Sequence, residues 1–308
     1  MKRKILIAVG DCIHSKGAVT YAARISSATK EMTYTLFHVQ PSVPSMLRGV
    51  ADREPGIGAE IEDLVEKHSE TAACVPGFKR LMMEEGIPGD HIEVVAEPMK
   101  VGMAKDILNR AERGQYDAIV IARRALTPTR DFFIGTTAAK VVEHALITPV
   151  WVVGGQETSL SFMLAVDGSE NSLRDVEHIG NVIGPNREFR LTLFHVLPYL
   201  RHYYSLEVEK EYPNLQEILH GEDEQRMDKF YKEAQKRLKG AGLKESQIEI
   251  KTNRRSHDIS TAVLEEARRG GYSTIVVGRR GERDAFFTGR IAMRLVQKVT
   301  EQTLWVLP

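Results

Sequence analysis

Residues 118–137, AIVIARRALTPTRDFFIGTT, combine three signals that together decide the fold. A short apolar, β-branched run leads into a basic, turn-prone loop, and the stretch ends at Gly135-Thr136-Thr137, just before the helical pattern AAKVVEHAL. A buried strand, a loop and a helix N-terminus in this order form an anion site, because unpaired backbone N–H groups and the helix dipole both favour a phosphate. The same arrangement returns at residues 274–291, TIVVGRRGERDAFFTGRI, which indicates two copies of one domain.

Comparison of the chain with itself supports this duplication. Three segments recur in the same order and at a nearly constant offset: 5–15 at 162–172, 34–41 at 191–198, and 107–124 at 263–280. A fixed period with an unchanged order indicates repetition of a whole structural unit. We therefore predict one domain over residues 1–155 and a second over residues 159–308, joined by a small, polar linker.

Each copy alternates strand and helix signals. The strands are continuous apolar runs, which are typical of a parallel sheet covered on both faces. Strands separated by helices predict right-handed βαβ crossovers. We predict an α/β protein with two tandem, doubly wound, Rossmann-like domains that bind ligands beyond the C-terminal ends of their strands. The strands predicted in the first copy are residues 4–9, 33–39, 91–96, 118–122 and 149–153.

Composition limits the classes of function. Lys+Arg and Asp+Glu both number 42, so the formal net charge is zero and gives no support for binding to nucleic acid or to a membrane surface. No apolar run approaches membrane-spanning length, and the N-terminus does not read as a signal peptide, so we expect a cytoplasmic protein. Cys12 and Cys74 form no metal-binding pattern and are expected to be reduced thiols.

Four short motifs per copy carry a family resemblance. They are an opening strand end such as AVDGS at residues 165–169, a second strand ending in His-Val, a strand close to the pattern G-Y-D-x-I-V-x-G, and a loop before a helix start. In these motifs the chain resembles the universal stress protein family, in its tandem two-domain form. The resemblance implies a five-stranded parallel sheet per domain, like that of the adenine nucleotide alpha hydrolases, and ATP, with Mg, bound by some members. It also implies pairing of the two domains about a pseudo-twofold axis, and a homodimer as a further partner.

The phosphate loop departs from the family pattern in both copies. In the nucleotide-binding branch this loop reads Gly, two residues, Gly, nine residues, then Gly-Ser/Thr. The first copy keeps that spacing but has Ala122 and Ala125 in place of the leading glycines. The second copy keeps Gly278 and Gly281, but only seven residues separate Gly281 from Gly289. Glycine matters here because the backbone must approach a phosphate closely or adopt positive φ.

The nucleoside end of the predicted site also differs between the copies. The family's aspartate corresponds to Asp167 in the second copy, whereas the carboxylate of Asp11 in the first copy is shifted by one position. Arginines beside the loops suit phosphate because their planar fork makes bidentate contacts. The nucleotide-binding residues that we predict are Asp167, Val196, Gly278, Arg280, Gly281, Gly289 and Arg290 in the second copy, and Asp11, Val39, Ala122, Ala125, Gly135, Thr136 and Thr137 in the first.

Two further pairs of residues recur at matching places. His38 and His195 end the second strands and are expected to be hydrogen-bonded core residues. Trp151 and Trp305 lie in the last strands, where they bury either a seam between paired domains or the core of each domain. The sequence does not distinguish these two positions for the tryptophans.

No catalytic motif accompanies these features. The chain lacks G-x-S-x-G, H-E-x-x-H and G-x-x-x-x-G-K-[ST], and we predict no catalytic residue and no metal ligand. We predict a stress-response protein that binds ATP, ADP or AMP in at least one domain and senses or sequesters it rather than turning it over. Two alternatives stay open. One is a nucleotide-free scaffold that presents surfaces to a partner or binds an apolar ligand under the inserts at residues 41–58 and 198–221; the other is a slow nucleotide hydrolase.

Overall fold

The computed structural model describes most of the chain. The described residues are 3–10, 12–27, 32–41, 43, 47, 53, 55–123, 136–155, 159–184, 186–202, 204–254, 256, 258–279, 288–299 and 301–308. Most of the first insert and both predicted phosphate loops, residues 124–135 and 280–287, lie outside them. The chain divides into two compact units, Met1–Val153 and Gly154–Pro308, which we call unit 1 and unit 2.

Unit 1 is a parallel sheet whose strands are connected by helices. Its strands are β1 Arg3–Ala8, β2 Met32–Gln40, β3 Ile92–Pro98, β4 Ala118–Ala122 and β5 Val150–Val153, in the sheet order β3-β2-β1-β4-β5. Its described helices are α1 Cys12–Ser27, α2 Pro55–Glu84, α3 Met103–Gly114 and α4 Thr136–His144. Every strand pair in the unit is parallel, as the sequence predicted.

Unit 2 repeats this arrangement. Its strands are β6 Ser161–Val166, β7 Arg190–Val196, β8 Ile248–Asn253, β9 Thr274–Gly278 and β10 Thr303–Leu307, in the order β8-β7-β6-β9-β10. Its described helices are α5 Glu170–Ile183, α6 Leu206–Glu211, α7 Pro213–Gly240, α8 Ile259–Arg269 and α9 Thr288–Lys298. All of its strand pairs are parallel too, which confirms the prediction of tandem Rossmann-like folds.

The central strands are buried on both faces. Successive residues such as Leu6 and Ile7 point to opposite faces, yet both are 0% exposed. In its own unit, Trp151 packs edge-on against Tyr21, and Trp305 packs in the same way against Phe162. These ring contacts place both tryptophans in the cores of their units, which is one of the two positions that the sequence left open.

The second insert is largely helical. Residues 200–202 form a turn of 3-10 helix, α6 follows, and α7 begins at Pro213, whose missing N–H costs nothing in the first turn of a helix. Among the described residues, no helix is long and apolar enough to cross a bilayer.

One expectation about the cysteines was wrong. Cys74, in α2, is disulfide-bonded rather than a reduced thiol. The spacing argument considered only metal and redox motifs, whereas a disulfide depends on which residues the fold brings close in space.

Candidate functional site

Three of the predicted site residues in unit 2 lie at one edge of the sheet. Asp167 directly follows β6, Val196 ends β7, and Gly278 ends β9. Because β6 is hydrogen-bonded to both β7 and β9, the fold brings these residues together where the strand order reverses. Doubly wound sheets bind their ligands at this edge.

The turn that starts helix α5 holds Asp167 in place. Its Oδ1 accepts hydrogen bonds from the backbone N–H of Ser169 at 3.0 Å and from the hydroxyl of Ser172 at 2.7 Å. The Ser172 oxygen in turn accepts from the backbone N–H of Asp167 at 3.2 Å. Between Asp167 and Ser169, Gly168 adopts a φ of +79°, which favours glycine. The carboxylate is therefore fixed at the end of β6.

A second carboxyl group lies close to this edge. Asp175, in α5, is 5% exposed. Its burial, and after that the charge on Asp167, raise the pKa of Asp175 to about 8. The Asp175 carboxyl is therefore mainly protonated at neutral pH, because a low-dielectric surrounding disfavours its charged form. Unit 1 has Ala18 at the matching sequence position.

His195 connects the end of β6 to helix α7. Its Nδ1 lies 3.0 Å from the carbonyl oxygen of Val166, and its Nε2 lies 2.8 Å from Oδ2 of Asp223. Both ring nitrogens therefore lie within hydrogen-bond distance of an oxygen atom. Burial opposes ionisation of Asp223, but the hydrogen bond and charge of His195, together with Arg226, lower the pKa of Asp223 below its usual value.

Helix α7 also packs against the residues that follow β6. A terminal nitrogen of Arg226 donates to Oδ1 of Asp223 at 2.5 Å. A Cβ added at Gly168 would lie 2.9 Å from Sδ of Met227 and 3.1 Å from Nε of Arg226. The position of α7 and the geometry around Asp167 are therefore coupled.

Unit 1 repeats the backbone geometry without the carboxylate. The Nδ1 of His38 lies 2.9 Å from the carbonyl oxygen of Val9, as its counterpart does in unit 2. The backbone N–H of Gly10 donates to Oγ of Ser15 at 3.0 Å, which is the bond that Asp167 makes to Ser172. Gly10 therefore occupies the place of Asp167, and Asp11 lies outside the described residues.

The remaining unit 1 candidates lie near the same edge of their own sheet. Val39 lies near the end of β2 and is 4% exposed, and Ala122 ends β4. Arg123 follows it and is buried, which lowers the pKa of its guanidinium. Thr136 and Thr137 form the first turn of α4.

The structure describes the two predicted phosphate-binding loops only at their ends. Gly289 and Arg290 lie in the first turn of α9. The predicted residues outside the described part of the chain are Asp11, Ala125, Gly135, Arg280 and Gly281. Among the residues that are described, no three His, Cys, Asp or Glu side chains are arranged to hold a metal ion.

Sequence reasoning missed several residues that shape this edge. Ser15 and Ser172 recur at the same offset as the other repeats, so the alignment of the two copies contained a signal for them. Asp175 and Asp223 carried no signal, because each is a single acid on a helix whose buried face only the fold reveals. His38 and His195 were predicted as hydrogen-bonded core residues, and both are.

Comparison with known proteins gives a consistent result. The sequence model of the Universal stress protein family matches residues 1–154 and again residues 161–306. No curated protein is significantly similar to the chain in sequence.

Solved structures with the same fold cover nearly the whole chain. A protein of Pseudomonas aeruginosa UCBPP-PA14, provisionally named a universal stress protein, has a TM-score of 0.61 and 15% identity, covering 99% of this chain and 93% of its own. A universal stress protein from Archaeoglobus fulgidus DSM 4304 has a TM-score of 0.58 and 13% identity, covering 98% of this chain and 95% of its own. At this identity the likeness concerns the fold alone.

Proposed function

Because the chain belongs to the universal stress protein family, which it matches once in each unit, we propose that it is a stress-response protein that binds an adenine nucleotide in unit 2. The observation that carries this proposal is the carboxylate of Asp167, fixed at the end of β6 beside the last residue of β9, Gly278. A carboxylate at this edge can accept hydrogen bonds from a nucleoside. The role is sensing or sequestering the nucleotide rather than turning it over.

Unit 2 is the better candidate because unit 1 has no carboxylate at the matching position. Gly10 makes the backbone hydrogen bond of Asp167 but offers no side chain. Unit 2 also keeps Gly278 and Gly281 of the family's phosphate loop, whereas unit 1 has alanine at both places. The start of α9 follows that loop, and a helix N-terminus of this kind favours a phosphate.

Calorimetric titration of the full chain tests the proposal. We expect ATP, ADP or AMP, with Mg²⁺ present, to bind with one site per chain. Asp167→Asn should weaken binding by about 10-fold or more, because a hydrogen bond to a charged group contributes roughly 1.5–3 kcal/mol. Asp228→Asn, an exposed carboxylate on α7, is the matched control and should bind as the parent does.

A gain-of-function variant sharpens this test. Gly10→Asp restores a carboxylate to unit 1, and a Cβ at Gly10 meets nothing within 4 Å. We expect it to strengthen nucleotide binding by unit 1 in an Asp167→Asn background. If no nucleotide binds saturably to the parent chain, the proposal is wrong.

A nucleotide-free scaffold is the second candidate. It is favoured by Ala122 at the strand end where the family's phosphate loop begins with glycine, and by Oδ1 of Asp167, which already accepts two hydrogen bonds from its own turn. Failure of every nucleotide titration, with a folded protein, would support it. A slow hydrolase would instead release phosphate from ATP and lose that activity in Asp167→Ala.

The cytoplasmic location, the pairing of the two units through their tryptophan-bearing strands and a homodimer belong to the same proposal. The family resemblance supports the pairing and the homodimer, and the location is the expectation drawn from the sequence. Cell fractionation tests the location, and the mass of the native particle tests the homodimer.

A further inference from the structure

Unit 1 contains a cavity of about 590 Å³ between the strands β2 and β3 and the helix α3. It runs along β2 from Thr33 to Val39, so one end reaches the edge discussed above. Its middle, however, lies over the middle of β2 and β3, away from the strand ends. Volumes of this size are typical of sites for small ligands.

A network of polar side chains forms the centre of this cavity. Terminal nitrogens of Arg110, on α3, lie 3.1 Å from Oε1 of Glu97 and 3.9 Å from Oε2 of Glu93, both on β3. The same oxygen of Glu93 accepts a hydrogen bond from the hydroxyl of Thr35 at 3.0 Å, and Tyr116 donates to that hydroxyl at 2.8 Å. The Nε–H of Arg110 is buried and has no hydrogen-bond partner among the described residues.

Unit 2 keeps part of this network at the equivalent place. Tyr272 donates to the hydroxyl of Thr192 at 3.0 Å, and Thr192 donates to Glu249 at 3.2 Å. These residues match Tyr116, Thr35 and Glu93 in the strand register and in the repeat alignment. The shared hydroxyl pair therefore identifies the same groove in both units.

The two units differ in what occupies the groove. In unit 2, β8 places Lys251 at the register position of Val95, and its Nζ lies 3.0 Å from the hydroxyl of Tyr272 and 3.4 Å from Oε1 of Glu266. Glu266 is 2% exposed and matches Arg110 in the repeat alignment. The long lysine side chain thus reaches across this groove in unit 2, whereas unit 1 has the short Val95 at the same register position.

The charges around the cavity select the class of ligand. Four lysine or arginine residues and four aspartate or glutamate residues line it. An ion of either sign would meet several charges of its own sign, whereas a neutral molecule rich in hydroxyl groups can both donate to the carboxylates and accept from the cations. We propose that this groove of unit 1 binds a neutral, polyhydroxylated small molecule of the size of a mono- or disaccharide.

The duplicated groove supplies a matched pair of variants. Val95→Lys with Arg110→Glu gives unit 1 the side chains by which unit 2 fills its groove, and it should abolish binding. Lys251→Val with Glu266→Arg makes the reverse exchange in unit 2 and should open a second site. Because each exchange copies an arrangement that already exists in this chain, both variants are expected to fold.

The probes are D-glucose, D-ribose and trehalose, with inorganic phosphate and spermidine as charged comparators. Ligand-observed NMR and calorimetry on the full chain measure affinity and stoichiometry. We expect one of the three sugars to bind at one site per chain, at least 10-fold more tightly than either ion. The Val95→Lys/Arg110→Glu chain should lose at least 10-fold in affinity, and the reverse variant should bind two equivalents.

Two controls separate this proposal from nucleotide binding and from misfolding. Asp167→Asn should leave the sugar affinity unchanged, since Asp167 belongs to the other unit. If the double variant in unit 1 does not fold, Asn109→Trp places a large ring in the cavity from the α3 side and should abolish binding instead. Absence of sugar binding at about 10 mM, tighter binding of phosphate or spermidine, or an unchanged stoichiometry in folded exchange variants would overturn the proposal.

Discussion

Replacing the buried carboxyl of Asp175 by an amide should stabilise unit 2 in a pH-dependent way. The pKa of Asp175 is raised from 3.8 to about 8 by burial and then by the charge on Asp167. A raised pKa means that the folded state holds this proton more tightly than the unfolded state does. The resulting stabilisation is fully present below the unfolded pKa of 3.8 and is lost as pH rises through about 8.

The size of the effect follows from that shift. A difference of roughly four pKa units corresponds to about 5–6 kcal/mol at 1.36 kcal/mol per unit. At about pH 7 most of the pH interval between the unfolded and the folded pKa has been crossed. The free energy of unfolding of the wild-type chain is therefore about 4 kcal/mol lower than it would be with a neutral side chain at this position. Asp175→Asn keeps the shape and removes the ionisation. We expect equal stability of the variant and its parent at about pH 4, and an advantage for the variant that grows to a few kcal/mol at about pH 8.

Urea unfolding followed by tryptophan fluorescence measures this difference. The chain has two tryptophans, so a Trp151→Phe background leaves Trp305, in the core of unit 2, as the reporter of that unit. Midpoints and slopes are compared at several pH values, because a midpoint shift at constant slope reports stability. Asp228→Asn, at an exposed position, is the control and should show no pH-dependent gain. A stability difference between Asp175→Asn and its parent that is constant from about pH 4 to about pH 8 would refute the reasoning.

Three further substitutions test the packing around the same edge. Asp223→Ala removes the hydrogen-bond partner of the buried Nε2 of His195, and the free energy of unfolding of unit 2 should fall by about 1–3 kcal/mol, because a buried polar atom is left without its partner; a loss below about 0.5 kcal/mol in urea would contradict this contact. Gly168→Ala forces alanine to a φ of +79° and places its Cβ 2.9 Å from Sδ of Met227, so the free energy of unfolding of unit 2 should fall by more than about 1 kcal/mol. Gly221→Ala, on the exposed face of α7 with nothing within 4 Å, is its control and should gain about 0.5–1 kcal/mol; equal effects of the two glycine substitutions would be inconsistent with the geometry.

The second copy shows how far residue patterns carry the prediction of a site. The motif AVDGS placed Asp167 at a strand end, and the structure has it directly after β6. The pattern could not tell that Oδ1 of Asp167 accepts hydrogen bonds from Ser169 and Ser172. Such bonds depend on how a turn closes, and a strand-end motif is compatible with several closures.

In the first copy, by contrast, the alignment of the repeats was enough to place a residue of the site. The sequence shifts its acid to Asp11, and the backbone hydrogen bond from Gly10 to Ser15 matches the one that Asp167 makes to Ser172. Pairwise alignment of the copies was sufficient here, because a backbone hydrogen bond is repeated wherever the backbone path is repeated.

The sequence by itself determined the duplication, the parallel sheets and the edge of the sheet at which the candidate residues of unit 2 lie. These follow from local periodicity and from repetition along the chain, which need no knowledge of distant contacts. Only the tertiary structure decided the raised pKa of Asp175, the His195–Asp223 contact and the difference at one register position, which is Val95 in unit 1 and Lys251 in unit 2. Each of these depends on burial or on a contact between residues far apart in the chain, and burial sets the electrostatic cost that a sequence pattern leaves undefined.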